Sequence, residues 1–483
     1  MDILNSTIKL NEPTILTIFG ATGDLSADYL LPALLNLFEN NLLSKDFHLV
    51  CVGRRNFTPK QYFAFIEKKS ASVRKIKSKT RKAFLKQLTY FCGDFEDPES
   101  FKLLAKILSD KEKPKHICYN RLYYFATSPQ FFASIARILN QSNLLLSCQS
   151  HNRKVRVLVE KPFGSSQHTA HSLNSLLLKY FKEDQIYRID HYMGKETVQN
   201  LMVVRFANRL FEPLWNREFI DHVEISVLEK DSAKSRAAFY DQTGALKDVV
   251  QNHILQMLSL IAMDEPKNLE TELIRNEKLK ILKALRIFTA ESVSINALRG
   301  QYEGYKKDVK NFESQTETFV ALKLFIDSPR WRDVPFYIKT GKALNKKETK
   351  ISIFFKELDK CLFRNCAANI LTFRIQPDES VYLQINNKIP GFGVNLHQGL
   401  LEFGYKQAFM NKILPAYERL LLDFMEGDQR LFIRSDEIEF AWKIVDSITS
   451  LLSKIPLRVY KKGSAGPVEA EDFIKKDGRD WAK

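Results

Sequence analysis

The sequence predicts an α/β Rossmann-type N-terminal domain followed by an α+β C-terminal domain with a large, mostly antiparallel sheet. Three observations carry this expectation. Short apolar runs alternate with helical patterns through the first third of the chain. A glycine-bearing turn, Gly20-Ala-Thr-Gly23, follows the first of those runs. From about Tyr187 onward, several runs alternate in polarity instead of staying apolar throughout, as half-buried antiparallel strands do.

Ile15–Phe19 reads as a buried strand, and Leu30, Leu31, Leu34, Leu37 and Phe38 follow at helical spacing. Phe47–Val52 reads as a second strand. Leu122–Ala126 and Val155–Val159 read as two more, separated by a helix-like stretch from Pro129 to Leu139. Strand–helix–strand alternation points to a parallel, doubly wound sheet. Later, Val223–Val227, Phe319–Phe325, Ile351–Phe355, Asn369–Ile375 and Val381–Ile385 read as strands of the second sheet. Helical patterns near 244–263, 268–285 and 410–453 flank them. The expected division is 1–187 for the α/β domain and 188–483 for the α+β domain. No internal repeat stands out, and polar Lys461–Lys483 is expected to wrap the surface.

The 483 residues carry 73 Lys plus Arg against 57 Asp plus Glu, a formal net charge of +16, with 45% apolar residues. That excludes a disordered polymer, a collagen-like repeat and a disulfide-stapled mini-protein. The opening stretch to Gly20 has no basic run ahead of an apolar segment, so no secretory signal is expected. Ile254–Met263 is too short to span a bilayer. Cys51, Cys92, Cys118, Cys148, Cys361 and Cys366 include no C-x-x-C pair. They read as reduced, buried thiols of a cytoplasmic protein, with no metal site expected. Lys68–Lys86 holds nine Lys/Arg and no acid, punctuated by Val73, Ile76 and Phe84. It reads as an amphipathic helix with a solvated basic face, the alternative being a nucleic-acid or membrane patch.

Gly20-Ala21-Thr22-Gly23, continued by Asp24 and Leu25, lies between a predicted strand and a helix. Glycines there permit a tight turn and let backbone N–H groups approach a pyrophosphate. The second strand ends Val52-Gly-Arg54-Arg55, where a site preferring NAD usually has an acid for the ribose 2′-hydroxyl. A guanidinium can fork onto a 2′-phosphate, so these residues favour NADP unless they are ordinary surface charge.

Arg188-Ile-Asp-His-Tyr-Met-Gly-Lys195 packs Asp190, His191, Tyr192 and Lys195 closely together. If the segment turns helical after Asp190, His191 and Lys195 share a face and form a donor cluster suited to a phosphate. Asp248-Val-Val-Gln-Asn-His253 sits in a helical pattern starting after Gly244. His253 there is either a satisfied core residue or a catalyst. Glu160-Lys-Pro-Phe-Gly164 follows a strand, where the ligand crevice of a doubly wound sheet forms. Lys342 and Lys347 make a further basic turn.

With these motifs, the chain resembles the glucose-6-phosphate dehydrogenase family over nearly its whole length. The match runs in order through Gly20–Leu25, Glu160–Gly164, Arg188–Lys195, Asp248–His253, Gly341–Asn345 and Gly463–Pro467. The resemblance implies oxidation of glucose 6-phosphate at C1 to 6-phosphogluconolactone, with hydride transfer to NADP, as the first step of the oxidative pentose phosphate pathway. It implies His253 as general base, with Asp190 stabilising its imidazolium. His191, Tyr192 and Lys195 would hold the 6-phosphate, and Glu229 and Asp248 would accept from sugar hydroxyls. Lys342 and Lys347 would add sugar or phosphate contacts, and Lys161 would bridge cofactor and substrate. Arg54 would meet the 2′-phosphate, and Asp94 would lie near the cofactor. A homodimer or homotetramer is implied, with no nucleic-acid or membrane partner. One departure stands out: where the family carries a basic run after Gly-Asp-Leu, this chain has Ser26-Ala-Asp-Tyr29, so Tyr29 replaces the functional lysine. Ala465 replaces a family Trp, and Ser128 a frequent Pro.

Overall fold

Thr14–Phe19 (β1) is buried at every position, which is what a strand covered on both faces requires. A computed structural model describes residues 10–113, 118–146, 154–364, 366–409 and 413–482. The chain divides into two units. The first comprises Met1–Gly164, His168–Gly194 and Leu414–Ser435; the second comprises Ser165–Gln167, Lys195–Ile413 and Asp436–Lys483.

The first unit is built on six parallel strands: β1, Phe47–Gly53 (β2), Leu88–Cys92 (β3), Asn120–Phe125 (β4), Val155–Val159 (β5) and Ile186–Arg188 (β6). Their order is β3-β2-β1-β4-β5-β6. Strand order therefore reverses between β1 and β4, which run in register from Thr14 beside Asn120 to Phe19 beside Phe125. Ligands of open α/β sheets bind beyond the strand ends at such a reversal. The helix Leu31–Glu39 buries Leu31, Leu34, Leu35 and Leu37 against the sheet core. The helix Ala416–Glu426 joins the same core through Leu420, Leu421, Phe424 and Met425. Its last carbonyls, of Phe424, Met425 and Glu426, accept from the Arg156 guanidinium at 3.1, 2.7 and 3.2 Å, which satisfies groups the helix itself cannot pair.

The basic stretch is not one helix but parts of three, Pro59–Lys69, Ala71–Lys75 and Ser78–Leu85. Ser70 interrupts the first turn-over, its hydroxyl accepting from Val73 N–H. Val73, Ile76 and Phe84 are buried. Some of the charge is paired: Arg81 meets Glu67 at 2.6 Å and Lys69 pairs with Asp24.

The second unit holds nine strands, Ile220–Leu228 (β7), Ala297–Tyr302 (β8), Phe319–Leu324 (β9), Phe336–Gly341 (β10), Glu348–Phe355 (β11), Ile370–Gln376 (β12), Ser380–Lys388 (β13), Leu396–Gly404 (β14) and Leu457–Tyr460 (β15). Their order is β14-β13-β12-β11-β7-β10-β9-β8-β15. Most neighbours are antiparallel, while β7 with β10 and β8 with β15 are parallel. Among the described residues no helix is long and apolar enough to cross a membrane.

The expectation of reduced thiols throughout does not hold. Cys361 and Cys366 are joined in a disulfide, their Cα atoms 6.1 Å apart across a short turn, a span such a bond can bridge. Cys51 is buried and free, Cys92 is exposed, and Cys148 lies outside the described residues.

Candidate active site

In the first unit, five of the six strands lead into a candidate residue just past their C-terminal ends. Gly20–Leu25 follows β1, Arg54 follows β2, Asp94 follows β3, Lys161 follows β5 and Asp190 follows β6. Gly20 has φ +92° and a Cβ there would overlap the carbonyl oxygen of Ala126. No other residue type fits this approach of the β1 and β4 ends. The turn is pinned by Gly20 and Ala21 N–H donating to Val52 O at 3.0 Å and by Gly23 N–H donating to Gly20 O at 3.0 Å. Tyr62 Oη donates to Ala21 O at 2.9 Å. The helix that follows starts with a wide turn, Ser26–Leu30, before tightening at Leu31. Its N-cap residue, Leu25, has no side-chain acceptor to offer. Such a cradle and helix start suit a dinucleotide pyrophosphate.

Arg54 is exposed, its guanidinium 5.7 Å from the centre of the Phe131 ring. Asp94 is exposed too, and its Oδ1 accepts from Glu96 N–H at 3.0 Å, so this carboxylate shapes its own loop. Glu160 lies beside Lys161 and accepts from Tyr124 Oη at 2.6 Å and from Tyr417 Oη at 3.5 Å. Burial pushes its carboxyl up to about 7, against the lowering pull of the Tyr124 hydrogen bond and the Lys161 charge. The sequence reading does not single out Glu160, because a carboxylate beside a lysine at a strand end reads as part of the motif.

Asp190 is 2% exposed, and its Oδ1 accepts from Tyr192 N–H at 2.9 Å. The helix in this region begins only at Glu196, after a turn through His191–Gly194. His191 and Lys195 therefore do not share a helical face. The reason is local: Asp190 holds the turn through its own carboxylate and through its carbonyl, which accepts from Met193 N–H at 3.0 Å. The His191 ring stands 6.3 Å from that of Tyr417 and nearly parallel to it. On the Tyr417 side lies Tyr29, at 5.3 Å and 55% exposed. Tyr29 is thus an aromatic packed on an aromatic.

In the second unit, Glu229 follows β7 and Lys342 follows β10, at the same level of two adjacent parallel strands. Glu229 N–H donates to Gly341 O at 2.9 Å, and the Lys342 ammonium pairs with the Glu229 carboxylate. Lys347 directly precedes β11, whose Glu348 lies opposite Leu228. Three neighbouring strands thus place Glu229, Lys342 and Lys347 at one end of the sheet. Lys195 Nζ donates to Gln376 Oε1 at 2.9 Å. Burial lowers the Lys195 pKa, the Glu379 charge opposes that, and the Lys347 charge lowers it further. Two ammonium groups that repel each other in this way suit a shared dianion.

Asp248 and His253 both sit in Leu246–Ile254, a wide-turned segment that continues into the helix Leu255–Ala262. Wide turns close on the fifth residue and recur at functional sites. Asp248 and His253, five apart, thus come closer to one face than an α-helix would bring them. Asn252 Nδ2 donates to the carbonyls of Lys247 and Asp248 at 3.2 and 3.3 Å. His253 is 3% exposed. Tyr240 is buried, with the Lys342 ammonium 5.1 Å from its ring centre. Burial first, then the charges of Asp248, Glu317 and Glu229, push its hydroxyl pKa well up. Tyr240 and Glu317 lie outside every motif, and no sequence signal marks them.

Two family descriptions match the chain. "Glucose-6-phosphate dehydrogenase, NAD binding domain" matches residues 17–200, and "Glucose-6-phosphate dehydrogenase, C-terminal domain" matches residues 202–482. The glucose-6-phosphate 1-dehydrogenase of Borreliella burgdorferi is 41% identical over 96% of this chain and 97% of its own. That of Streptococcus pneumoniae is 37% identical over 98% of this chain and 97% of its own. A solved glucose-6-phosphate dehydrogenase in complex with its substrate glucose-6-phosphate superposes with a TM-score of 0.91 at 32% identity, over 98% of this chain and 99% of that one. With both halves matched and relatives this similar over their full length, the chain belongs to the glucose-6-phosphate dehydrogenase family.

Proposed function

We propose that this protein oxidises glucose 6-phosphate at C1 with NADP as the acceptor, yielding 6-phosphogluconolactone in the first step of the oxidative pentose phosphate pathway. The observation that carries the reading is the grouping of Glu229, Lys342, Asp248 and Tyr240 in the second unit, on and beside the segment that bears His253. Carboxylates and an ammonium in one place suit a polyol, and a neutral imidazole suits proton abstraction near pH 7.

His253 takes the proton of the C1 hydroxyl, and Asp190 stabilises the imidazolium so formed. Glu229 and Asp248 accept hydrogen bonds from sugar hydroxyls, with Lys342 completing the set. Lys195, Lys347, His191 and Tyr192 hold the 6-phosphate as donors around a dianion. Lys161 contacts both cofactor and substrate. The Gly20–Leu25 turn fits a pyrophosphate because it lies beyond β1, where the strand order reverses, and leads into a helix start. Arg54, in the position of an acid, fits the 2′-phosphate, and Asp94 lies near the cofactor. A nicotinamide bound there would supply the acceptor for the hydride of C1.

The same reading makes the protein a cytoplasmic homodimer or homotetramer with no nucleic-acid or membrane partner. Leu400, Leu401 and Phe403 on the edge strand β14 are 53%, 57% and 44% exposed, and an uncovered apolar edge strand favours association. The test is NADPH absorbance on mixing protein, NADP and glucose 6-phosphate, with NAD run in parallel. The reading predicts a higher kcat/KM with NADP. No absorbance change would overturn the activity, and a higher kcat/KM with NAD would overturn the role of Arg54.

A further inference from the structure

The segment bearing Asp248 and His253 starts against a carboxylate that neither the motifs nor the proposed chemistry uses. Glu317, just ahead of β9, is 4% exposed. Its Oε1 accepts from Leu246 N–H at 3.0 Å, and its backbone carbonyl accepts from Ala245 N–H at 3.1 Å. Both donors belong to the start of the segment, where N–H groups lack a partner within the helix. A negative charge is favourable at that end.

Gly244 is matched to this carboxylate. It has φ +64°, and a Cβ there would overlap both carboxylate oxygens of Glu317. The conformation and the space both require glycine. The chain thus turns sharply over a buried carboxylate and begins the segment two residues later. Asp248 is the third residue of that segment. Burial raises the Glu317 pKa, while its hydrogen bond with Leu246 and the charges of Arg299 and Lys247 lower it. Glu317 also borders a cavity of about 530 Å³ that Gln242, Thr243, Lys247 and Arg299 help to line.

We infer that Glu317 is a positioning residue, which fixes Asp248 for its sugar contact by clamping the start of the segment. This rests on Asp248 being a substrate contact, as proposed above. Glu317 acts through Leu246 N–H and is not itself a contact to the sugar. Without the carboxylate, water from the bordering cavity can satisfy Leu246 N–H, so the fold survives while the segment start loses its fixed place.

The test compares Glu317→Ala, Glu317→Gln, Glu317→Asp and Asp248→Asn in steady-state kinetics, with thermal unfolding to confirm the folded state. Glu317→Ala should raise KM for glucose 6-phosphate about tenfold and leave KM for NADP unchanged, a loss of about 1.4 kcal/mol in binding. Glu317→Gln keeps an acceptor oxygen in place and should restore KM to within about twofold. A residue that merely stabilised the fold would lower the active fraction, and hence kcat, without moving KM. If Glu317→Ala fails to fold, Glu317→Asp, whose carboxylate is withdrawn by one methylene, should raise KM where Glu317→Gln does not. Equal KM values across the foldable variants would overturn the inference. Should Asp248→Asn leave KM unchanged, the sugar-contact reading falls and this inference with it. Should Asp248→Asn raise KM while Glu317→Ala or Glu317→Asp does not, only this inference falls.

Discussion

The two units start a helix in the same way and complete it differently. At Gly20 and again at Gly244, a glycine with positive φ leads into a wide-turned segment that tightens into an α-helix. In the second unit the negative group at the helix start is built in, as the Glu317 carboxylate. In the first, the nearby Asp24 carboxylate pairs with Lys69, and Leu25 has no acceptor to give. An exposed helix start seeks an anion. One unit supplies it from its own chain to hold a segment still. On the proposed reading, the other leaves that role to the pyrophosphate of a bound dinucleotide. The same local geometry therefore serves positioning in one place and binding in the other.

The contrast can be broken by filling each glycine. Gly20→Ala forces a side chain into the Ala126 carbonyl with φ at +92°. It should weaken NADP binding roughly 100-fold, as expected for about 3 kcal/mol of strain, measured by calorimetric titration. KM for glucose 6-phosphate should hold. The anion side is sharpened by Arg54→Ala. Losing a charge-assisted contact of about 1.5–3 kcal/mol should cut kcat/KM for NADP about 10- to 100-fold and leave that for NAD nearly unchanged. Gly244→Ala should raise KM for glucose 6-phosphate about tenfold and cost about 1–3 kcal/mol of stability, read by denaturant unfolding. A larger effect on NADP than on sugar would erase the distinction between the two helix starts.

A separate effect concerns pH. Glu160 has its carboxyl raised from 4.5 to about 7, chiefly by burial. Between those values the folded protein binds more protons here than the unfolded chain. This group's contribution is therefore full below about 4.5 and is lost as pH rises to about 7. Glu160→Gln should flatten that part of the stability profile, so that the variant gains on the wild type between pH 5 and 8. A parallel pair of melting curves across that range would show that the carboxyl does not titrate there.

How much of this was legible in the sequence depended on how buried each element is. β1, β4 and β5 are buried throughout and read as mostly apolar runs, with Thr17, Asn120, Arg121 and Arg156 among the buried polar exceptions. β3 has three partly or fully exposed positions, and β6 is three residues long, so neither is located from pattern alone. β14, with Gly399 inside it and most residues exposed, hides for the same reason. The helix Ala416–Glu426 shows its apolar face in sequence but not the core that covers it. Asp190, His253 and Lys195 stand out in the sequence as candidates because they sit in dense local motifs. Glu317 does not, since its partners Gly244 and Leu246 are brought to it only by the fold. The net charge of +16 said least, because more than half of it lies in Lys68–Lys86, outside the motifs, even though Lys69 pairs with Asp24.

The central claim is that His253 is the base of a glucose-6-phosphate dehydrogenase. It is tested most directly by kcat of His253→Asn against wild type, with NADP and glucose 6-phosphate both saturating. The account predicts a loss of about 10²–10⁴, the range for removing a positioned general base, with KM for glucose 6-phosphate within a few-fold of wild type. A folded His253→Asn protein that keeps kcat within about threefold of wild type would contradict it.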